Sequence, residues 1–97
     1  MASIDTYSIN IDAISMITSA QIRAARALLR WSADELAQKA GVGIATVKRF
    51  ELMDNVPEGR TSTLQAIQRT LELAGVEFIG TPDDGPGVRL RIAPPTR

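Results

Sequence analysis

Residues 32–51 read Ser32-Ala33-Asp34-Glu35-Leu36-Ala37-Gln38-Lys39-Ala40-Gly41-Val42-Gly43-Ile44-Ala45-Thr46-Val47-Lys48-Arg49-Phe50-Glu51, and this stretch decides the fold. Ser32 and Glu35 have capping-box spacing, so a helix begins near residue 33. Leu36, Ala37 and Ala40 fall on its inner face. Gly41 stops it, because glycine takes the left-handed conformation without a side-chain penalty. A second helix follows Gly43 and opens near Ile44, with Val47 and Phe50, three apart, facing inward. Two short helices on so tight a link cross closely, which restricts side-chain size at the contact. Ala37 has to be small where the later helix passes over it, and Val42, Val47 and Phe50 fill the wedge. This is the helix-turn-helix layout, in which the second helix enters the major groove of DNA.

Working outward, Thr18 and Gln21 form another capping box, which predicts a helix from about residue 19. Ile22, Ala25 and Leu29 share one of its faces. Asn55, Pro57 and Gly59 mark a loop. Ser62 with Gln65 predicts the cap of a fourth helix, whose apolar stripe is Leu64, Ile67, Leu71 and Ala74 and whose end is Gly75. Val76 to Ile79 reads as a strand, Gly80 to Gly87 as a turn, and Val88 to Ile92 alternates. Together they predict a β-hairpin with a long loop. Ile9, Asn10, Ile11 and Asp12 alternate at period two, as a short strand or a flexible arm. Pro94 and Pro95 end the ordered part. The expected organisation is an arm or strand at 1–17, a helical unit at 18–75, a hairpin at 76–93 and a tail at 94–97. The fold class is mainly α: four helices plus a C-terminal β-hairpin.

Composition narrows the chemistry. The chain has 97 residues, suited to one domain, and 44% of them are hydrophobic, enough for a core. It has one Trp, one Tyr and two Phe, so aliphatic side chains must fill that core. There is no cysteine and no histidine. Disulfides, thiol catalysis and ordinary zinc sites are thereby excluded, as is the commonest general base. Neither a phosphate loop nor clustered catalytic carboxylates are present, and Asp83-Asp84 beside Pro82 and Gly85 are ordinary turn formers. A non-enzymatic protein without cofactor or metal is expected. No apolar run approaches the ~18 residues of a membrane helix, and no signal peptide is evident, so a cytoplasmic protein is expected. The formal net charge is zero. Charge is unevenly spread, however: residues 20–53 carry six basic and three acidic side chains.

The chain resembles the Cro and lambda-repressor-like (XRE) helix-turn-helix regulators over roughly residues 19–76. Arg26, Ser32, Glu35, Leu36, Ala37, Gly41, Val42, Thr46, Val47, Arg49 and Glu51 carry the resemblance. Thr63-Leu64 and the Leu71…Gly75-Val76 end of the next helix extend it. The resemblance implies a lambda-repressor-like bundle, operator binding and frequent dimerisation. It also implies that Arg26 and Glu51 form a partly buried ion pair. Three positions depart from the family's habit: Ala33 stands where Gln is common, Gly43 where Ser is common, and Arg30 where Gly is common. The family's fifth helix is replaced by the 76–92 hairpin.

These readings name a site. Ile44, Ala45, Lys48 and Arg49 occupy the exposed early turns of the recognition helix. Lys48 or Arg49 would donate to guanine O6 and N7, while Ile44 and Ala45 would touch thymine methyls. Thr46, Asn55, Arg60 and Thr61 are candidate phosphate contacts, with Gln21 and Ala33 at the starts of their helices. Plain alternatives stand beside these: a solvated helix with ordinary cations, and simple helix capping. The expected partners are double-stranded DNA and a second copy of the chain. The alternative is a protein-interaction module, such as an antitoxin or anti-activator, on the same fold. The hairpin, with Arg89 and Arg91 alternating against Val88, Leu90 and Ile92, is expected to be a cover for the core or a dimer interface.

Overall fold

The computed structural model describes residues 17–91. The expected strand at Ile9–Asp12, the hairpin's last residue Ile92 and the 94–97 tail lie outside the described residues. What is described is a small α/β protein of four helices followed by a two-stranded antiparallel hairpin.

Helix α1 spans Ser19–Leu29 and begins in a complete capping box. The Thr18 hydroxyl accepts from the Gln21 N–H at 3.1 Å, and the Gln21 carbonyl oxygen accepts from the Thr18 N–H at 2.9 Å. Its end is closed by Arg30 at φ 60°, a left-handed conformation that suits glycine better than a side chain. Helix α2, Ala33–Ala40, starts in the second box, with Ser32 and Glu35 exchanging bonds of 2.8 and 3.0 Å. Gly41 ends it at φ 72°. Helix α3 spans Ile44–Leu52 behind Gly43, which has no side chain to cap it.

Helix α4 spans Thr61–Leu73. It begins one residue before the expected cap, so Ser62 lies inside it. The capping position belongs to Arg60, whose carbonyl accepts from Thr63 and Leu64, and no side chain caps the end. The local Ser62–Gln65 pattern loses to a tertiary constraint just upstream. Gly59 sits against the Phe50 ring so closely that a Cβ there would lie 2.8 Å from it, and the chain turns helical directly afterwards.

Strands β1, Val76–Thr81, and β2, Asp84–Leu90, pair with Val76 opposite Leu90 and Phe78 opposite Val88. The link is far shorter than the expected 80–87 loop. Thr81 pairs with Asp84, leaving only Pro82 and Asp83 between strands, and an irregularity falls between Ile79 and Thr81. The glycines of this stretch serve inside the ladder. At Gly80, φ 77°, a Cβ would come within 2.1 Å of the Gly85 carbonyl oxygen, so the two strands meet there backbone to backbone.

The core joins all of these. Ile22 and Ala25 of α1, Leu36 of α2, Val47 of α3, and Ile67 and Leu71 of α4 have no exposed surface. Val76 at the start of β1 is buried with them, while Phe78, Val88 and Leu90 of the hairpin pack partly against the cluster.

Candidate nucleic-acid interface

Helix α3 divides sharply into two faces. Val47, Phe50 and Glu51 are buried, while Ala45, Lys48 and Arg49 are exposed and lie three and four residues apart, on one outward face. Ile44 departs from the expected exposed position. It is half-buried and packs against the core, because the turn from α2 folds the first residue of α3 inward. Its apolar side chain therefore needs no external partner. Thr46 is half-buried as well, and Arg49 rests its guanidinium 5.5 Å from the Phe50 ring centroid.

The α2–α3 link is held by Val42, whose N–H donates to the Ala37 carbonyl at 3.0 Å. Ala37 is 4% exposed, and its methyl leaves room for the close crossing.

The C-terminal end of α3 is fastened to α1. Arg26 donates from Nε to Glu51 Oε2 at 2.7 Å and from Nη2 to Oε1 at 2.8 Å, while its Nη1 donates to the Trp31 carbonyl at 2.9 Å. This is a bidentate pair with every guanidinium nitrogen engaged. Glu51 is buried and the Arg26 side chain is 25% exposed, so the carboxylate side of the pair is withdrawn from water while the guanidinium is partly solvated. The hydrogen bonds to Glu51 raise the Arg26 pKa above its ordinary value; burial opposes this, and the Glu51 charge adds to it. The guanidinium thus stays charged throughout the working pH range. The arginine side of the pair would be lost only as pH climbs past that raised value.

Two further residues grip the same helix end. Ser19 Oγ donates to the Phe50 carbonyl at 2.6 Å, and Arg23 Nη1 donates to the Glu51 carbonyl. Both bring donors to carbonyls in the last turn of the helix, where backbone partners run out, and the cation also complements the helix dipole. Sequence reasoning missed both. Their partners are 31 and 28 residues away, with no local signal to join them.

Gln21 is displaced from the list of phosphate contacts. It is 4% exposed and fully employed: its carbonyl oxygen closes the α1 box, and Nε2 donates to the carbonyls of Ile79 at 3.1 Å and Gly87 at 2.8 Å. One amide thereby clamps both strands of the hairpin onto α1. Ala33 sits half-buried at the first position of α2 and brings no polar side chain. Asn55 is exposed at φ 56°, and its carbonyl accepts from the Ser19 N–H at 2.8 Å, so its backbone ties the loop to α1. Arg60 and Thr61 stand exposed at the uncapped start of α4.

The hairpin's outer face is less basic than its alternation implies. Glu77 lies between Arg89 and Arg91, at 3.2 and 3.6 Å, which offsets much of their charge there. All three side chains are well exposed, so these pairs add little stability.

Among the described residues no helix is long and apolar enough to cross a membrane. Fold and geometry together define a small four-helix protein with a hairpin clamped to α1 and one helix, α3, held from behind with a short cationic face outward. No protein-family model matches the chain, and a search of curated proteins returns no match.

Proposed function

We propose that this protein is a sequence-specific, double-stranded-DNA-binding transcriptional regulator of the lambda-repressor-like class, cytoplasmic and acting as a homodimer on a partly palindromic operator. The observation that carries the reading is the outward face of α3. Ala45, Lys48 and Arg49 project together from a helix whose opposite side is buried and whose far end is pinned by Arg26, Arg23 and Ser19. A helix of this kind fits the ~12 Å major groove of B-DNA. Lys48 donates to guanine O6 or N7, the Ala45 methyl meets thymine, and Arg49 serves either a base or a nearby phosphate. Ile44 drops from this set because the core already engages it.

Phosphate contacts come from the helix start at Arg60 and Thr61, where exposed N–H groups and a cation coincide, with Thr46 and Asn55 beside the reading helix. Two copies would place two such helices about 34 Å apart, one DNA turn.

Gel-shift titration on a duplex selected from a random pool, against an unselected duplex, tests the reading. The selected duplex is bound at least ~10³-fold tighter, within the usual range for specific sites. Lys48→Ala narrows that ratio, whereas Arg60→Ala weakens both duplexes alike and flattens the salt dependence. Equal affinity of the wild type for both duplexes sinks the proposal.

One observation favours the protein-interaction reading. Leu52 at the end of α3 is 85% exposed and Leu73 at the end of α4 is 83% exposed, large apolar side chains with no covering partner among the described residues. A stoichiometric protein partner in a pull-down, with no duplex affinity at low salt, would establish that alternative.

A further inference from the structure

Among the described residues the β1 strand has a free edge, and its backbone geometry says which groups line it. Arg91 N–H donates to the Gly75 carbonyl at 2.7 Å, which makes Gly75/Arg91 a hydrogen-bonded pair of the ladder. Such pairs alternate in an antiparallel ladder, so Glu77/Arg89 and Ile79/Gly87 are bonded pairs and Val76 and Phe78 turn their backbone groups outward. Gln21 supports this phase independently. Its single Nε2 reaches both the Ile79 and Gly87 carbonyls, which requires the two to face each other. Phe78 N–H and C=O therefore point away from β2, and neither meets a further partner among the described residues.

The two edges of the hairpin differ. Beyond β2 lies α1, and β2 itself carries Pro86, which has no N–H, and the cation Arg89, with Arg91 just past its end. Proline and cationic side chains are the usual protection of an edge against pairing. On β1 there is no proline, and its one charged residue, Glu77, is paired on the outer face with Arg89 and Arg91. Pro86 and the packing of α1 close the β2 edge to a further strand, and β1 carries neither obstacle. Ile79 is 37% exposed on the outer face, and Leu73 is exposed at the helix end that leads into β1. A hairpin alone is marginal as a sheet, whereas three or more strands are self-supporting.

We propose that β1 pairs antiparallel with β1 of a second copy, with Phe78 on the two-fold axis, giving a four-stranded sheet in the order β2-β1-β1-β2. This deepens the dimeric part of the function proposed above. In that register Phe78 faces the partner's Phe78, and Glu77 of each copy lies opposite Ile79 of the other. The register makes a charge-specific statement. Ile79→Glu sets a second carboxylate opposite Glu77, twice per dimer, whereas Ile79→Lys supplies a counter-charge at the same two places.

Sedimentation velocity of the full chain across a concentration series, without DNA, provides the test. The wild type dimerises, Ile79→Glu raises the dimer dissociation constant at least ~tenfold, and Ile79→Lys holds it level or lowers it. A wild type that stays monomeric overturns the proposal, as does equal weakening by both variants. Either result would mean that the N-terminal segment, another surface or another partner takes this edge.

Because the chain has no cysteine, single thiols give a second readout that survives poor behaviour of Ile79→Glu. A bonded antiparallel pair has Cα atoms about 5.5 Å apart, within disulfide range. Phe78→Cys therefore links two copies under mild oxidation, and Arg89→Cys on β2 does not; the reverse order excludes the β1 interface. Dimerisation is read without nucleic acid. A dimer that binds no duplex would remove the regulator reading and leave this one standing, and a monomer that binds a half-site would do the opposite.

Discussion

Helices α1 and α2 begin in closed ends, and helices α3 and α4 begin in open ones. Thr18 with Gln21, and Ser32 with Glu35, each complete a reciprocal pair of bonds at the helix start. Gly43 and Arg60 occupy the same position at α3 and α4 and make no side-chain cap. A capping box typically adds about 1 kcal/mol, so α1 and α2 are stabilised locally. The open helices are held by other means. For α3 these are the Arg26–Glu51 pair and the bonds from Ser19 and Arg23, all at its far end. The division of labour follows from geometry. A helix pinned at its C-terminus can keep its N-terminal N–H groups and first outward side chains available to an anion. A helix sealed at its N-terminus cannot.

The largest expected effect breaks the anchored end. Glu51→Ala leaves the partly buried Arg26 guanidinium without its carboxylate, and stability falls by about 2–3 kcal/mol in denaturant unfolding. A loss no larger than that of an exposed surface pair would mean that the ion pair is not what anchors α3. Next comes the clamp on the hairpin. Gln21→Ala removes two bonds to hairpin carbonyls and opens the α1 box at once, costing about 1.5 kcal/mol, with hydrogen exchange accelerated first in β1 and β2. Uniform acceleration across the molecule would show that the amide does not act as a local clamp. The smallest effects test the open and closed ends directly. Ser32→Ala costs about 1 kcal/mol in thermal unfolding, whereas Gly43→Ser adds a few tenths while weakening duplex binding. A Cβ at Gly43 would meet only Thr46 Oγ1 at 3.8 Å, an ordinary contact, so the substitution fits the backbone. Unchanged duplex affinity in Gly43→Ser would mean that the open start of α3 is not used.

Much of the architecture was legible because its signals are local. Both capping boxes, the stop at Gly41 and the inward positions of Leu36, Val47 and Phe50 involve residues three or four apart, and each is found where the spacing places it. Signals failed where a distant contact outweighed a local one. Ser62 has the pattern of a cap but lies inside α4, downstream of the Gly59 contact with Phe50. Gly80, Gly85 and Gly87 have the composition of a loop but build a bulge and a close strand approach. Ile44 reads as exposed at a helix start, yet it is half-buried against the core. Arg30 illustrates a readable oddity: a side chain stands in a left-handed position, where the resemblance noted a glycine habit.

Residue types and their spacing were enough to locate most helix ends, to assign the inward faces and to rule out histidine and cysteine chemistry. Each of those depends on residue type and on spacing within one turn of helix. Only the tertiary structure decided which polar side chains are left over for a partner. Gln21 and Asn55 have much the same inventory of donors and acceptors, but Gln21 spends its amide on carbonyls 58 and 66 residues away. Whether a polar group is free depends on what the folded chain brings within 3 Å of it, and no periodicity carries that information.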